Sequence, residues 1–286
     1  MAKIRKAVIT AAGNRQQTLP VQTLVDRDGE TKSVLRIIVD EVIRAGIEEI
    51  AVIVRPNTQE TYRSAAGDAG KQLSFIEQEN SEGYAHAVYC SRDFLKSDPF
   101  LHLVGDHLYV SAKAKDCAKQ LVDVAEAENC SVSAVQATRE FNLPYYGTIG
   151  GQRLADKKNI YRIDDVVEKP TPTEAEQRLV VPGLRAGSYL CFFGMHVFTP
   201  LVIDLLTHRF EVSEQKPPRY LSHVLAELAK QEKYLACEVA GSRHEIAAKY
   251  GLFNAQLALA MESNDRNEIL STIVDSLATR QIHHDK

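Results

Sequence analysis

Short apolar runs alternate with helix-period segments along the first hundred residues. Ile4, Val8 and Ile9 mark a brief buried-type strand that stops at Ala11, Ala12 and Gly13. Residues 34–45 carry Leu35, Ile38, Val39 and Val42 on one helical face, with Ser33 as N-cap and Gly46 as terminator. Strands are expected at 49–54, 73–78 and 100–104, and helices at 58–69 and 84–94. Residues 16–33 are polar and read as a long loop, of a length that compact domains often use for binding.

Strand–helix alternation reaching a fourth strand by residue 104 predicts a parallel sheet with helices on both faces. The later chain is more mixed. A helix at 112–127 precedes a strand at 131–137, and 145–151 and 160–169 read as antiparallel strands ended by Pro170 and Pro172. An apolar strand at 188–197 leads to a helix at 198–208, a Pro-rich loop through Pro217 and Pro218, a helix at 220–230 and a strand at 234–239. Residues 242–251 read as a polar turn, and helices near 247–261 and 265–280 close the chain. The expected fold class is α/β, a Rossmann-like mixed and mainly parallel sheet. No repeat or linker divides it, so residues 1–286 read as one domain: a first half at 1–110, a second half at 111–260 that shares its sheet, and a C-terminal helix at 261–286.

Composition narrows the classes. The 286 residues carry 34 Lys and Arg against 38 Asp and Glu, a net charge of −4, which argues against a nucleic-acid polymer as partner. Five scattered cysteines without a C-x-x-C pair point to free thiols in a reducing compartment. No stretch approaches the roughly 20 apolar residues of a membrane helix, and no signal segment opens the chain, so a cytoplasmic protein without a membrane partner is expected. Ile269, Ile273, Val274 and Leu277 in the last helix could pack on the chain's own core or on a second copy.

In open α/β sheets ligands gather at the carboxyl ends of strands, where Gly13, Gln78 and Asp106 fall. The small residues ending in Gly13 let backbone N–H groups approach a phosphate, with Arg15 a fixed charge just beyond; many such turns bind nothing. Asp106, after an apolar strand, can hold Mg²⁺ or cap the next turn. Gln78 offers an amide that matches a pyrimidine edge, and Gly83 lets its loop come close, although a surface Gln is the plainer reading. Glu245 is a candidate second metal oxygen or a helix cap. Glu168 and Lys169 precede Pro170, which favours an extended Lys169; the two side chains would then point to opposite faces unless the strand bends. Gly13 has no glycine two residues on, so a G-x-G-x-x-G dinucleotide turn cannot be drawn.

Taken in order, residues 6–13, 39–47, Gln78 through Gly83 to Val88, Gly105-Asp106-His107, Tyr146-Gly147-Thr148 and Val166 to Pro170 resemble the bacterial UTP–glucose-1-phosphate uridylyltransferases, among the sugar-nucleotide pyrophosphorylases. The likeness spans residues 6–259. It implies attack by a sugar-1-phosphate oxygen on the α-phosphorus of UTP, with pyrophosphate leaving and Mg²⁺ as cofactor. On that basis Ala11, Ala12 and Gly13 lie against the nucleotide, Gln78 and Gly83 face uracil, Asp106 and Glu245 hold the metal, Gly147 and Glu168 meet the sugar, and Lys169 meets its phosphate. Arg15, Asp106 and Lys169 are then the catalytic set. The chain departs from the pattern in a shortened first loop without the second glycine or an early lysine, where Arg15 is the partial substitute. It also has Ala85 and Ala247 for glycines, Glu245 for Asp, and Tyr220-Leu221-Ser222 for the family's Gln-Leu-Thr. These departures leave open an alternative: a relative that binds sugar nucleotide as a regulatory or scaffold subunit.

Overall fold

The computed structural model describes residues 3–13, 21–80, 82–213 and 219–284, with side chains to residue 279. The chain runs β1 (Lys6–Thr10), β2 (Thr23–Val25), β3 (Thr31–Ser33), α1 (Val34–Arg44), β4 (Glu49–Val54), α2 (Gln59–Ala65), β5 (Leu73–Glu77), α3 (Tyr84–Tyr89), α4 (Arg92–Leu95), β6 (Phe100–Val104), β7 (His107–Ser111) and α5 (Cys117–Glu128). It continues through β8 (Ser131–Arg139), β9 (Gly147–Arg153), β10 (Ile160–Glu168), α6 (Pro172–Arg178), β11 (Ser188–Phe198), α7 (Leu201–Thr207), α8 (Ser222–Gln231), β12 (Tyr234–Glu238), β13 (Gly241–Glu245), α9 (Gly251–Met261) and α10 (Arg266–His284).

One nine-stranded sheet crosses the molecule in the order β5-β4-β1-β6-β11-β8-β12-β10-β9. β5, β4, β1 and β6 are parallel neighbours. β11 reverses direction against β6 and β8, and β10 reverses against β12 and β9. The α/β, Rossmann-like reading therefore holds, with the mixed pairing confined to the later half. β1 is buried at every position, as a central strand covered on both faces must be. Its alternate side chains feed two cores: Ala7 and Ile9 join α1, α5 and α9, whereas Val8 joins α3, α7 and α8.

Several expectations need correction. The expected loop at 16–33 contains the hairpin β2–β3, whose outer edge is clamped by Gln256: Val25 N donates to its Oε1 at 2.9 Å and its Nε2 donates to Val25 O at 3.0 Å. A side-chain amide thus substitutes for a neighbouring strand, a long-range contact with no local signal. The helix expected at 84–94 is two short ones, because Ser91 Oγ donates back to Val88 O at 2.6 Å and competes with the helical ladder. Residues 242–251 do not form a polar turn throughout: β13 pairs antiparallel with β7, itself unread in the sequence. The Pro-rich break after Glu168 opens α6, with Thr171 Oγ1 accepting from Glu174 N. In α10, Ile269 and Ile273 lie against α9, but Val274 and Leu277 are 61% and 64% exposed, so the packing on the chain's own core covers only part of that face. Among the described residues, no helix is long and apolar enough to cross a membrane, and the cysteines are free thiols.

Candidate active site

β1 and β6 deliver the first wall. Their ends are drawn together where Gly105 N donates to Thr10 O at 2.8 Å; a Cβ on Gly105 would stand 2.9 Å from that oxygen. The chain leaves β6 at Asp106 and enters β7 at His107. β13 pairs with β7 so that Glu245 lies directly opposite His107, and Ile246 N closes the ladder on Asp106 O at 2.9 Å. Directly opposed residues of an antiparallel pair share a face, so strand pairing alone brings the Glu245 carboxylate beside the Asp106–His107 corner. Asp106 Oδ1 meets His107 Nδ1 at 2.8 Å.

These groups face a cleft of about 450 Å³, lined by Thr10, Ala12, Gly13, Gln78, Gly83, Tyr84, Asp106, His107, Tyr145, Tyr146, Arg219, Tyr220 and Glu245 among others. Gly13, Gln78, Gly83, Asp106 and Glu245, whose extremes lie 232 residues apart in sequence (245 − 13), therefore share one cavity. The Gln78 amide nitrogen lies 3.1 Å from Gly83 O and 3.0 Å from His86 Nδ1. Its donors are thus spent inside the protein, leaving the amide oxygen. Gly83 holds φ +110°, and a Cβ there would meet Arg219 O at 2.6 Å, so only glycine fits this turn.

A second chamber of about 130 Å³ adjoins the first, and Tyr84, Val104, His107, Tyr145 and Tyr146 line both. Gly147 and Glu168 lie in it. They are direct partners across the β9–β10 ladder, and a Cβ on Gly147 would stand 3.0 Å from Glu168 Oε2 and 2.9 Å from the Phe192 ring. Burial pushes the Glu168 carboxyl above its ordinary pKa, opposed by the neighbouring Ser222 hydroxyl and by the Lys169 and His223 charges. Tyr84 lines both chambers, and its hydroxyl lies 3.3 Å from His102 Nδ1. Burial holds His102 neutral, its pKa lowered to about 3, and its other nitrogen lies 3.3 Å from Thr10 Oγ1.

Lys169 is the bend that the sequence left undecided. It does not take the extended form expected before Pro170 but sits at φ +49°, fixed by its N–H donating to Tyr146 O at 3.1 Å. A left-handed non-glycine residue stores of order 1–3 kcal/mol, and here it turns both side chains of the Glu-Lys pair to one side. Lys169 Nζ lies 3.9 Å from Glu168 Oε1 and 4.9 Å from the centre of the Tyr220 ring, which lines the larger chamber. Lys169 lines neither chamber itself but neighbours one residue of each.

The profile of the nucleotidyl transferase family matches residues 21–244. The chain belongs to this family. It is 26% identical to the UTP–glucose-1-phosphate uridylyltransferase 1 of Streptococcus pyogenes serotype M3, over 97% of this chain and 95% of that protein. It is equally similar to the UTP–glucose-1-phosphate uridylyltransferase of Bacillus subtilis, covering 98% and 99%. In fold it resembles a UDP-glucose pyrophosphorylase solved with UDP-glucose (TM-score 0.73, 23% identity, 89% of this chain and 98% of that one) and a UTP-bound enzyme of the same kind from Acinetobacter baumannii (TM-score 0.70, 18% identity, 95% and 98%).

In this nucleotidyl transferase Ala12 and Gly13 line the larger chamber, whereas Ala11 is buried in the core beneath it, its N–H donating to Ile53 O at 2.8 Å. Arg15 lies outside the described residues. Ala85, one of the departures, is fully buried against Val8, Ala12 and Ile53 and does not line either chamber. Sequence reasoning missed Tyr84, Tyr145, Tyr146 and Tyr220 as walls, and Phe192, Gly194, His196, Leu221, Ser222 and Leu225 in the smaller chamber. Tyr84 and Tyr146 had a signal, since each abuts a glycine. The residues from β11 had none, because only the tertiary fold brings them to β9 and β10.

Two carboxylates, Asp106 and Glu245, suit Mg²⁺, which is usually held by one or two protein carboxylates together with substrate phosphates. Among the described residues no group of three or more His, Cys, Asp or Glu is placed to hold a metal ion by itself.

Proposed function

We propose that this chain transfers a uridylyl group from UTP to glucose-1-phosphate, giving UDP-glucose and pyrophosphate. The observation that carries this reading is the pair of adjoining chambers. The larger is lined by Gly13, Gln78, Gly83, Asp106 and Glu245, the smaller by Gly147 and Glu168, with Lys169 beside Glu168 of the one and Tyr220 of the other.

The Gln78 oxygen accepts from the imide N–H of uracil, and Gly83 keeps the base wall free of a side chain. Asp106 and Glu245 hold Mg²⁺, which when bound neutralises charge on the phosphates. Glu168 accepts from sugar hydroxyls. Lys169, a point charge on a flexible stem, draws the sugar phosphate toward the α-phosphorus. A phosphate oxygen of the sugar then forms a bond to that phosphorus, and the bond to the bridging oxygen of the β-phosphate breaks with its electron pair leaving on pyrophosphate. Catalysis is positioning plus charge neutralisation. Arg15 supplies a further charge from the shortened loop. The test is purified protein with UTP, glucose-1-phosphate and Mg²⁺. Pyrophosphate released only when all three are present supports the reading, and none released overturns it.

A further inference from the structure

The smaller chamber contains a buried hydroxyl whose one near acceptor, the Glu168 carboxyl, does not complete a well-made hydrogen bond with it. Ser222, at the start of α8, is 4% exposed and lines the chamber, and its Oγ is buried without a hydrogen-bond partner. It does not serve the helix either: Leu221 is the N-cap and no side chain caps that end. A buried hydroxyl left unpaired costs stability, so its retention calls for a partner that arrives from outside.

The partner's chemistry can be read from the surroundings. The Glu168 carboxyl lies close enough for the Ser222 hydroxyl to bear on its charge, yet the two form no well-made hydrogen bond. Glu168 is kept open toward the chamber because Gly147 presents no Cβ against its Oε2. Phe192, Leu221 and Leu225 supply apolar walls. A donor and an acceptor therefore stand side by side in the wall of one small chamber.

We propose that Ser222 and Glu168 read one ring hydroxyl of the sugar between them, Ser222 Oγ–H donating to its oxygen while that hydroxyl donates to the Glu168 carboxylate. Ser222 is then a specificity-determining residue, and the substrate class is a hexose-1-phosphate with a free hydroxyl at that position. Sugars deoxygenated there are rejected because both buried groups stay unpaired. This inference rests on the uridylyltransferase reading.

The experiment follows pyrophosphate release from UTP with glucose-1-phosphate and its 2-, 3-, 4- and 6-deoxy analogues, for the wild-type chain and Ser222→Ala, with the thermal midpoint of each. The wild-type chain should disfavour one analogue by tenfold or more, about the factor carried by one hydrogen bond to a charged group. Ser222→Ala should raise the KM for glucose-1-phosphate about tenfold and lose the discrimination at that analogue alone, with the KM for UTP unchanged. Its thermal midpoint should equal or exceed the wild-type value, since the hydroxyl removed was unpaired. A lowered midpoint, or the same change for every analogue, would make Ser222 structural and overturn the inference while leaving the uridylyltransferase reading in place. A wild-type chain that turns over none of these sugars would overturn both.

Discussion

The two chambers of the cleft are built by different means. The larger stands at the ends of β1, β5 and β6, parallel strands, where Gly13, Gln78 and Asp106 are set by strand order, with Glu245 and tyrosine walls added from later segments. The smaller stands where direction reverses, between the β9–β10 hairpin, β11 and α8, and depends on side chains from segments far apart in sequence. Parallel strand ends give a place that suits any polyphosphate. Reading a particular sugar takes buried donors and acceptors set among apolar walls.

The comparison breaks most visibly at Asp106, which lines the larger chamber but in the proposed reaction would hold the metal that both substrates need. Asp106→Ala should lower kcat about 1,000-fold with the thermal midpoint within a degree or two of wild type, as calorimetry would check. Unchanged turnover would remove Asp106 from the metal role. Glu168→Gln belongs to the smaller chamber alone. It should raise the KM for glucose-1-phosphate roughly 10- to 100-fold and spare the KM for UTP; an equal rise in both would erase the division between chambers. Gly147→Ala sharpens the same point by crowding instead of deletion. Its methyl would press on Phe192 and Glu168 Oε2, and an efficiency loss of about tenfold toward the sugar phosphate is expected in steady-state kinetics.

The smallest effect lies outside both chambers and serves as their control. Glu41 is fully buried on α1, accepts from Ala118 N at 2.9 Å, and has its pKa raised to about 8, chiefly by burial and further by Asp116. A carboxyl whose folded pKa exceeds its unfolded value of 4.5 contributes its stability below that value and loses it as pH rises toward about 8. Glu41→Gln keeps the acceptor oxygen without the charge. Its thermal midpoint should gain on wild type by about 5 °C between pH 5 and pH 8, with kinetics unaltered at either chamber. A gap that narrows with rising pH would reverse the sign argued here.

The same contrast explains what was legible in the sequence. Gly13, Gln78 and Asp106 were found because β-branched runs end beside them, and a strand end in a parallel sheet is already a location. The helix α1 was legible down to its cap, Ser33 Oγ accepting from Arg36 N at 3.0 Å. Glu245 was named for its chemistry but placed on a turn, because β13 is too polar to read as a strand and gains its structure only from β7. Lys169 was expected to be extended on local grounds, yet a hydrogen bond to Tyr146 O outweighs the preference that Pro170 imposes. Tyr220-Leu221-Ser222 was marked only as a departure from the family's Gln-Leu-Thr, without a place in the site, and Phe192 carried no signal, since nothing in a neighbouring residue says which side chains a folded sheet will press together. The hairpin β2–β3 was hidden in the same way, its edge completed by Gln256 from more than 200 residues away.

The account turns on the two chambers acting as one site, and isothermal titration of UDP-glucose against UDP tests that directly. A product that fills both chambers should bind at least about tenfold more tightly than the nucleotide alone, and Glu168→Gln should remove the difference without weakening UDP. Equal affinity of the wild-type chain for UDP and UDP-glucose would contradict it.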